Sequence, residues 1–144
     1  MFQNIINQNF IDEMRGRIIT MKLSEKKKDE WEKTLKEAEL IGAADSIEEH
    51  TQGDRWSFLS QSRGNFFFTK EKFVFVSGFG VNSFAINYSD IKELKKSMVG
   101  PFIPTGITVT ALDPENGKTK KYKCSVLKRK DWMAYLSQKA GIAI

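Results

Sequence analysis

The chain has few of the residues that build metal centres and disulfides. Its 144 residues include one cysteine, Cys124, and one histidine, His50. A single cysteine excludes an internal disulfide framework. These two residues cannot complete a zinc site unless carboxylates or a second chain supply the other ligands. We therefore expect no metal and no cofactor, and we interpret His50 as an exposed histidine in a polar linker.

Long apolar runs are also missing. None approaches the roughly 20 residues that a membrane-spanning helix needs. The first residues have no basic segment and no small-residue cleavage site, so they are not expected to be a secretory signal. These features predict a cytoplasmic protein, and they leave a peripheral position at a membrane open.

No group of residues has the pattern of a catalytic site. The Gly78-Phe79-Gly80 segment lacks the third glycine and the following helix of a phosphate cradle, so it is interpreted as a turn between strands. Cys124 alternates with Tyr122 and Val126 and is predicted to be a small core residue. We expect a protein that is not an enzyme, with a small-ligand enzyme as a minor alternative.

The positive charge is concentrated near the end of the chain. The net charge is +5, and the segment from Lys118 to Lys130 contains basic residues but no acidic ones. Such a segment can attract an anionic surface, or it can keep an edge strand from aggregating. Nucleic acid is not expected, because the charge is modest and no helix is basic along one face. The candidate ligand-binding residues are Lys121, Lys123, Lys92, Lys95, Lys96 and Arg63.

Residues 1–45 are predicted to be a helical extension, followed by a linker over residues 46–54. Ser24 is a suitable N-cap and Gly42 a suitable residue to end the helix. Trp31 and Leu35 lie on one apolar helical face, which must pack on the rest of the domain or on a second chain. We predict a homodimer through these helices, with Trp31 and Leu35 as contacts. An earlier apolar stripe supports the same prediction and consists of Ile6, Phe10, Met14, Ile18 and Met21.

Residues 55–144 are predicted to hold seven short strands and a helix. The strands follow one another without intervening helices, which favours an antiparallel sheet. The helix is expected over residues 128–140, with Trp132 on its apolar face and Gly141 at its end. In the loop between two prolines, Phe102 and Ile103 are candidate partner contacts, unless the loop folds back over the mouth of the domain.

Two motifs resemble those of GRAM domains and bacterial PH-like domains of the pleckstrin-homology type. One runs from Gly64 through an aromatic strand to Thr69 and a second apolar strand, and the other is an alternating strand from Phe84 followed by Asp90-Ile91. The resemblance implies a mainly β (α+β) fold, a seven-stranded antiparallel barrel closed by the C-terminal helix, with Trp132 buried.

The resemblance also implies binding rather than catalysis, because such domains take lipids, peptides or partner domains. The first hairpin offers Arg63 as its basic residue, so specific recognition of an inositol phosphate is not expected. We predict a non-catalytic module that recognises an anionic membrane surface or an acidic protein partner. The alternative is a self-associating interaction domain with no role in lipid binding.

Overall fold

The computed structural model describes residues 23–57, 60–78, 82–99 and 103–144. Within these ranges the chain forms two helices, seven strands and one 3-10 turn. In chain order they are α1 (Glu25–Glu37), β1 (Ile47–Trp56), β2 (Gln61–Thr69), β3 (Lys72–Ser77), β4 (Phe84–Asn87), the turn Tyr88–Asp90, β5 (Ile91–Val99), β6 (Ile103–Leu112), β7 (Thr119–Val126) and α2 (Arg129–Ala140). No helix in the described ranges is long and apolar enough to cross a membrane.

The seven strands form one antiparallel sheet in the order β4-β3-β2-β1-β7-β6-β5. The predicted seven antiparallel strands and C-terminal helix are confirmed. The predicted closure is not, because β4 and β5 are the two edges of the sheet and do not pair with each other. The turn Tyr88–Asp90 carries the chain from one edge to the other, and α2 packs against this turn and against β5, β6 and β7.

The main core lies between the inner face of the sheet and α2. Trp132 is 3% exposed. Its ring stacks on that of Phe68 with centroids 4.3 Å apart and planes 6° apart. Tyr135, one helical turn later, meets Phe68 edge to face at 5.2 Å. The burial of Trp132 that the sequence predicts is therefore confirmed, and α2 is held by aromatic packing.

A second, smaller core lies on the outer face of the sheet. Phe67 and Val74 point away from the main core, and α1 covers them. Leu35 of α1 is completely buried there, and the Trp31 ring lies 4.8 Å from the Phe67 ring. The helix begins where predicted, since the Ser24 hydroxyl accepts a hydrogen bond from the Lys27 N–H at 3.3 Å.

Thr69 is the centre of a buried polar network that joins three parts of the chain. Its hydroxyl donates to Asp45 Oδ2 at 2.7 Å and accepts from the Lys72 N–H at 2.9 Å. Its carbonyl oxygen accepts from the Tyr88 hydroxyl at 2.7 Å. Burial, followed by the charges of nearby groups, raises the pKa of Tyr88 well above its ordinary value. The phenol therefore stays protonated and keeps donating to the Thr69 carbonyl.

Residues 46–54, assigned to a linker from the sequence, instead supply most of β1, which is a correction. One position of its inner face, Gly53, has no room for a side chain and so cannot carry an apolar residue. A Cβ atom on Gly53 would lie 2.5 Å from the Ser125 carbonyl oxygen and 2.7 Å from the Phe66 ring. His50 is accordingly half-buried in a strand rather than exposed in a linker. Its Nε2 is hydrogen-bonded to Asn65 Oδ1 at 2.8 Å.

The end of α1 also differs from the prediction. The helix stops at Glu37, five residues before Gly42. Glu39 adopts the left-handed conformation with φ 60°. Its N–H donates to the Lys36 carbonyl at 3.0 Å, and the Leu40 N–H donates to the Leu35 carbonyl at 2.9 Å. This pair of bonds is a Schellman motif in which a glutamate stands where glycine is usual.

Replacing Glu39 by glycine is expected to raise the free energy of unfolding by roughly 0.5–1 kcal/mol. The left-handed conformation costs a side-chain-bearing residue about 1–2 kcal/mol, and the greater freedom of glycine in the unfolded chain offsets part of the gain. Urea denaturation measures the change. The control is Glu30→Gly in the exposed helix interior, which is expected to lose about 1 kcal/mol. An E39G variant no more stable than the parent chain would contradict the strain at this position.

Candidate binding surface

The outer face of β5, β6 and β7 brings three of the predicted lysines together. Lys121 and Lys123 lie on either side of Tyr122, which packs with its neighbour Cys124 against the main core, so the two lysines point outward. Thr108 stands between Lys123 and Lys95 in the pairing of the three strands. We call Lys95, Lys121 and Lys123 the basic face. Strand spacing places Lys95 about 10 Å from Lys123, and Lys121 about 7 Å from Lys123 along the strand.

The charges of the basic face are largely uncompensated. Lys121 and Lys123 are exposed, and neither forms an ion pair with a residue in the described ranges. Lys95 has a carboxylate neighbour, Glu93, with its Nζ 3.7 Å from Glu93 Oε1. These two side chains are 68% and 47% exposed. Water screens such a pair, so it adds little stability and leaves Lys95 available to a ligand.

The other predicted basic residues lie elsewhere. Lys92 falls at an irregularity in β5, where its ammonium group donates to the Ser89 carbonyl at 3.4 Å. Lys96 is paired in register with the buried Ile107 and so does not share the outward register of Lys95. Arg63 lies on β2, where its guanidinium is 3.7 Å from Asp54 Oδ1 and its side chain is 77% exposed. The structure therefore groups three of the six predicted residues.

Two side chains near the basic face were not proposed as ligand-binding residues from the sequence. Trp56 is half-buried and stands opposite Lys123 in the pairing of β1 with β7. Arg55 faces the other way, with its guanidinium carbon 5.2 Å from the Phe84 ring centroid and 5.3 Å from the Tyr122 ring centroid. An Arg55 N–H also donates to the Asn82 carbonyl. Arg55 and Trp56 fall in the region that the sequence predicts to form strands, whereas residues 47–54 of the same strand are the part interpreted as a linker.

The aromatic and thiol groups on the inner side of β7 are core groups. Burial raises the pKa of Tyr122, while the nearby Arg55 lowers it. Burial raises the pKa of the Cys124 thiol to about 12, and the residue is 1% exposed. A protonated, inaccessible thiol is not a nucleophile. In the described ranges, no three side chains of histidine, cysteine, aspartate or glutamate lie together to hold a metal ion.

The predicted partner contacts have different outcomes. Leu35 is completely buried against this chain's own sheet, and its assignment to a dimer contact stays a prediction. Trp31 is half-buried in the same contact. Ile103 is the first residue of β6, while Phe102 and the apolar stripe before residue 23 lie outside the described ranges. The homodimer stays a prediction.

The chain was compared with protein-family models, curated proteins and solved structures, and only solved structures are similar to it. No protein-family model and no curated protein matches the chain. Among solved structures, the C-terminal domain of an unknown protein from Leishmania infantum has a TM-score of 0.60 at 18% identity, and the match covers 76% of this chain and 94% of that one.

Two solved structures with DH and PH domains are also similar. The PDZ-RhoGEF structure in complex with activated RhoA has a TM-score of 0.52 at 9% identity, and covers 67% of this chain and 30% of that chain. The p115-RhoGEF structure has a TM-score of 0.52 at 9% identity, and covers 95% of this chain and 42% of that chain. At such identities the likeness concerns the fold alone. The fold of this chain is PH-like: seven antiparallel strands in one sheet, with a C-terminal helix and a helix before the first strand.

Proposed function

We propose that the chain is a non-catalytic binding module whose basic face contacts an anionic membrane surface. The observation that carries the proposal is the outward alignment of Lys121 and Lys123, both exposed and neither in an ion pair with a described residue. The PH-like fold supports a binding role, and the Gly64–Thr69 and Phe84–Ile91 motifs support the finer assignment to the GRAM and bacterial PH-like group.

The spacing of the basic face favours a surface over a single small anion. Three lysines about 7–12 Å apart on a sheet face match separate headgroups better than one phosphate. Each lysine near an anionic bilayer contributes about 1 kcal/mol, within a Debye length of about 10 Å. Binding of this kind is weak, reversible and sensitive to salt. An acidic segment of a protein partner carries negative charge as an anionic membrane does. Binding to such a segment is the second possible result of the test below.

Co-sedimentation with lipid vesicles tests the proposal. The full chain is mixed with vesicles of phosphatidylcholine alone and with vesicles containing an increasing share of phosphatidylserine. The bound fraction is expected to rise with phosphatidylserine and to fall as salt is added. The double variant Lys121→Glu and Lys123→Glu is expected to bind at least about tenfold more weakly, because it replaces two attractive charges with two repulsive ones.

The matched control is Lys26→Glu with Lys33→Glu. Both lysines are exposed on α1, which packs on β2 and β3 and not on the strands that carry the basic face. This control changes the net charge by the same amount and is expected to retain most of the binding. Equal losses in the two double variants would show that net charge alone governs binding. If no vesicle binds at low salt but polyglutamate does, and this binding requires Lys121 and Lys123, then the acidic protein partner replaces the membrane.

A further inference from the structure

Two exposed apolar side chains lie at one end of the strands that carry the basic face. In the described ranges, the large apolar side chains that are mostly exposed are Met98 at 51%, Leu127 at 78% and Ile144 at 65%. Ile144 follows α2, whereas Met98 is next to the last residue of β5 and Leu127 comes directly after β7. We call Met98 and Leu127 the apolar tip.

Strand pairing brings the two residues of the apolar tip to the same end of the sheet. Ser97 of β5 pairs with Gly106 of β6, and Gly106 pairs with Ser125 of β7. Both outer strands are antiparallel to β6, so they run in the same direction. Met98 comes one residue after Ser97, and Leu127 comes two residues after Ser125. Two strand spacings separate β5 from β7, which is about 10 Å.

The polar side chains between the two apolar residues have partners within the chain. Thr105 Oγ1 and Ser125 Oγ are 2.7 Å apart and share a hydrogen bond. Thr108 Oγ1 donates to Ser97 Oγ at 3.1 Å. Between these two pairs stands Gly106, where a Cβ atom would lie 2.5 Å from the Ser97 carbonyl oxygen. Because these hydroxyl groups are already hydrogen-bonded, an apolar surrounding would cost them little.

Two lysines of the basic face lie at a short distance from the apolar tip. Lys95 is three residues before Met98, and Lys123 is four residues before Leu127. The rise of a strand makes these separations about 10 and 13 Å. Single exposed apolar side chains are ordinary on protein surfaces. The position of this pair, at the end of a surface that is already basic, is what indicates a function.

The carboxylates beside this surface are compensated. Asp54 stands opposite Ser125 in the pairing of β1 with β7. Its side chain is 14% exposed and forms an ion pair with Arg63 at 3.7 Å. Glu93 lies toward the other end of β5 and forms its ion pair with Lys95. Neither carboxylate places an unpaired negative charge beside the apolar tip, so the tip can approach an anionic bilayer.

We propose that the apolar tip enters the interface of an anionic bilayer while Lys95 and Lys123 contact the lipid headgroups. The inference rests on the proposed membrane function and adds an orientation, in which the ends of β5 and β7 point into the bilayer. Amphipathic elements at a membrane surface place their apolar side about 5–10 Å into the boundary between headgroups and acyl chains. Lysines about 10–13 Å from the tip then lie at headgroup level, and their flexible stems keep the ammonium groups there.

An environment-sensitive label at the tip tests the proposal. Leu127→Cys, Met98→Cys and Glu115→Cys are each labelled with the dye nitrobenzoxadiazole. Cys124 is 1% exposed, so it does not compete for the label. On vesicles of phosphatidylcholine and phosphatidylserine, the two tip labels are expected to shift to shorter wavelength and to be quenched by lipids brominated on their acyl chains. Glu115 is exposed in the turn at the opposite end of β6 and β7, and its label should not change.

A double variant measures how much the apolar tip contributes to binding. Leu127→Ser with Met98→Ser retains every lysine and is expected to bind the same vesicles about tenfold more weakly, because it removes the burial of two large side chains. Its remaining binding should be more sensitive to salt than that of the parent chain, since only the screened contribution is left. The matched control is Ile144→Ser, which removes an exposed apolar side chain beyond the other end of α2 and should retain binding.

Three results would overturn the proposal, and they have different meanings. If the labelled chains sediment with the vesicles but both tip labels keep the emission seen in water, the tip stays outside the bilayer and the membrane function is unaffected. If the tip labels shift with protein concentration and vesicles add nothing, the tip contacts a second copy of the chain. If neither the parent chain nor the labelled chains sediment with anionic vesicles at low salt, the membrane function and the insertion of the tip are both wrong.

Discussion

Replacing Trp132 by alanine is expected to lower the free energy of unfolding by about 3–5 kcal/mol. The indole is 3% exposed and stacks on Phe68 with a 4.3 Å separation between ring centroids. Its removal leaves a cavity between α2 and the sheet and also removes the edge-to-face contact of Trp132 with Tyr135 at 5.9 Å. Total stability of a small domain is commonly about 5–15 kcal/mol, so the loss is a large share of it.

Guanidinium denaturation followed by far-ultraviolet circular dichroism measures this loss. Lys130→Ala, an exposed substitution two residues before Trp132 on the same helix, is the control and should change stability by less than about 0.5 kcal/mol. Trp132→Phe keeps a ring at the site and is expected to recover part of the loss. A loss below about 1 kcal/mol in Trp132→Ala would show that α2 does not depend on this stacking.

Replacing Leu35 by alanine is expected to cost about 2–4 kcal/mol and to loosen α1 from the sheet. Leu35 is completely buried, and it is the buried residue of a helix whose other side chains are half-buried or exposed. Isolated helices of this length are marginal in water, so α1 depends on its packing against Phe67 and Val74.

Two measurements separate loosening of α1 from global unfolding. Urea denaturation gives the overall loss of stability, and amide exchange in residues 28–38 reports on the helix itself. The control is Lys33→Ala, which is exposed on the same helix and should leave both unchanged. If amide exchange in α1 is as slow in Leu35→Ala as in the parent chain, the helix is held by other contacts and Leu35 has little effect on its docking.

The sequence predicted the fold best where the aromatic residues are dense. Phe66 and Phe68 alternate toward the main core, and the position of Trp132 in the last helix was enough to predict its burial. The same alternation could not show that Phe67 is also buried. The residues that bury Phe67 belong to α1, which is distant in sequence. The strand β1 could not be predicted, because its sequence is polar and has no apolar alternation. Its inner-face position Gly53 has no room for an apolar side chain.

The candidate site was predictable only in part because register decides which lysines share a face. Lys121 and Lys123 alternate with core residues, so their common outward direction could be predicted from sequence. Lys95 joins them only through the pairing of β5 with β6 and of β6 with β7. An irregularity between Ile91 and Glu93 shifts the register of β5, and this shift could not be inferred from side-chain pattern.

The order of strands has a consequence for how fast the chain folds. In the described sheet, every pair except β1 with β7 joins strands that are neighbours along the sequence. The meanders β1–β4 and β5–β7 can therefore nucleate from local contacts, whereas the β1–β7 joint requires closure of a long loop. Closing that loop adds an entropic cost that the local pairings do not have. Substitutions at Gly53, where the joint begins, should consequently slow folding more than equally destabilising substitutions within either meander.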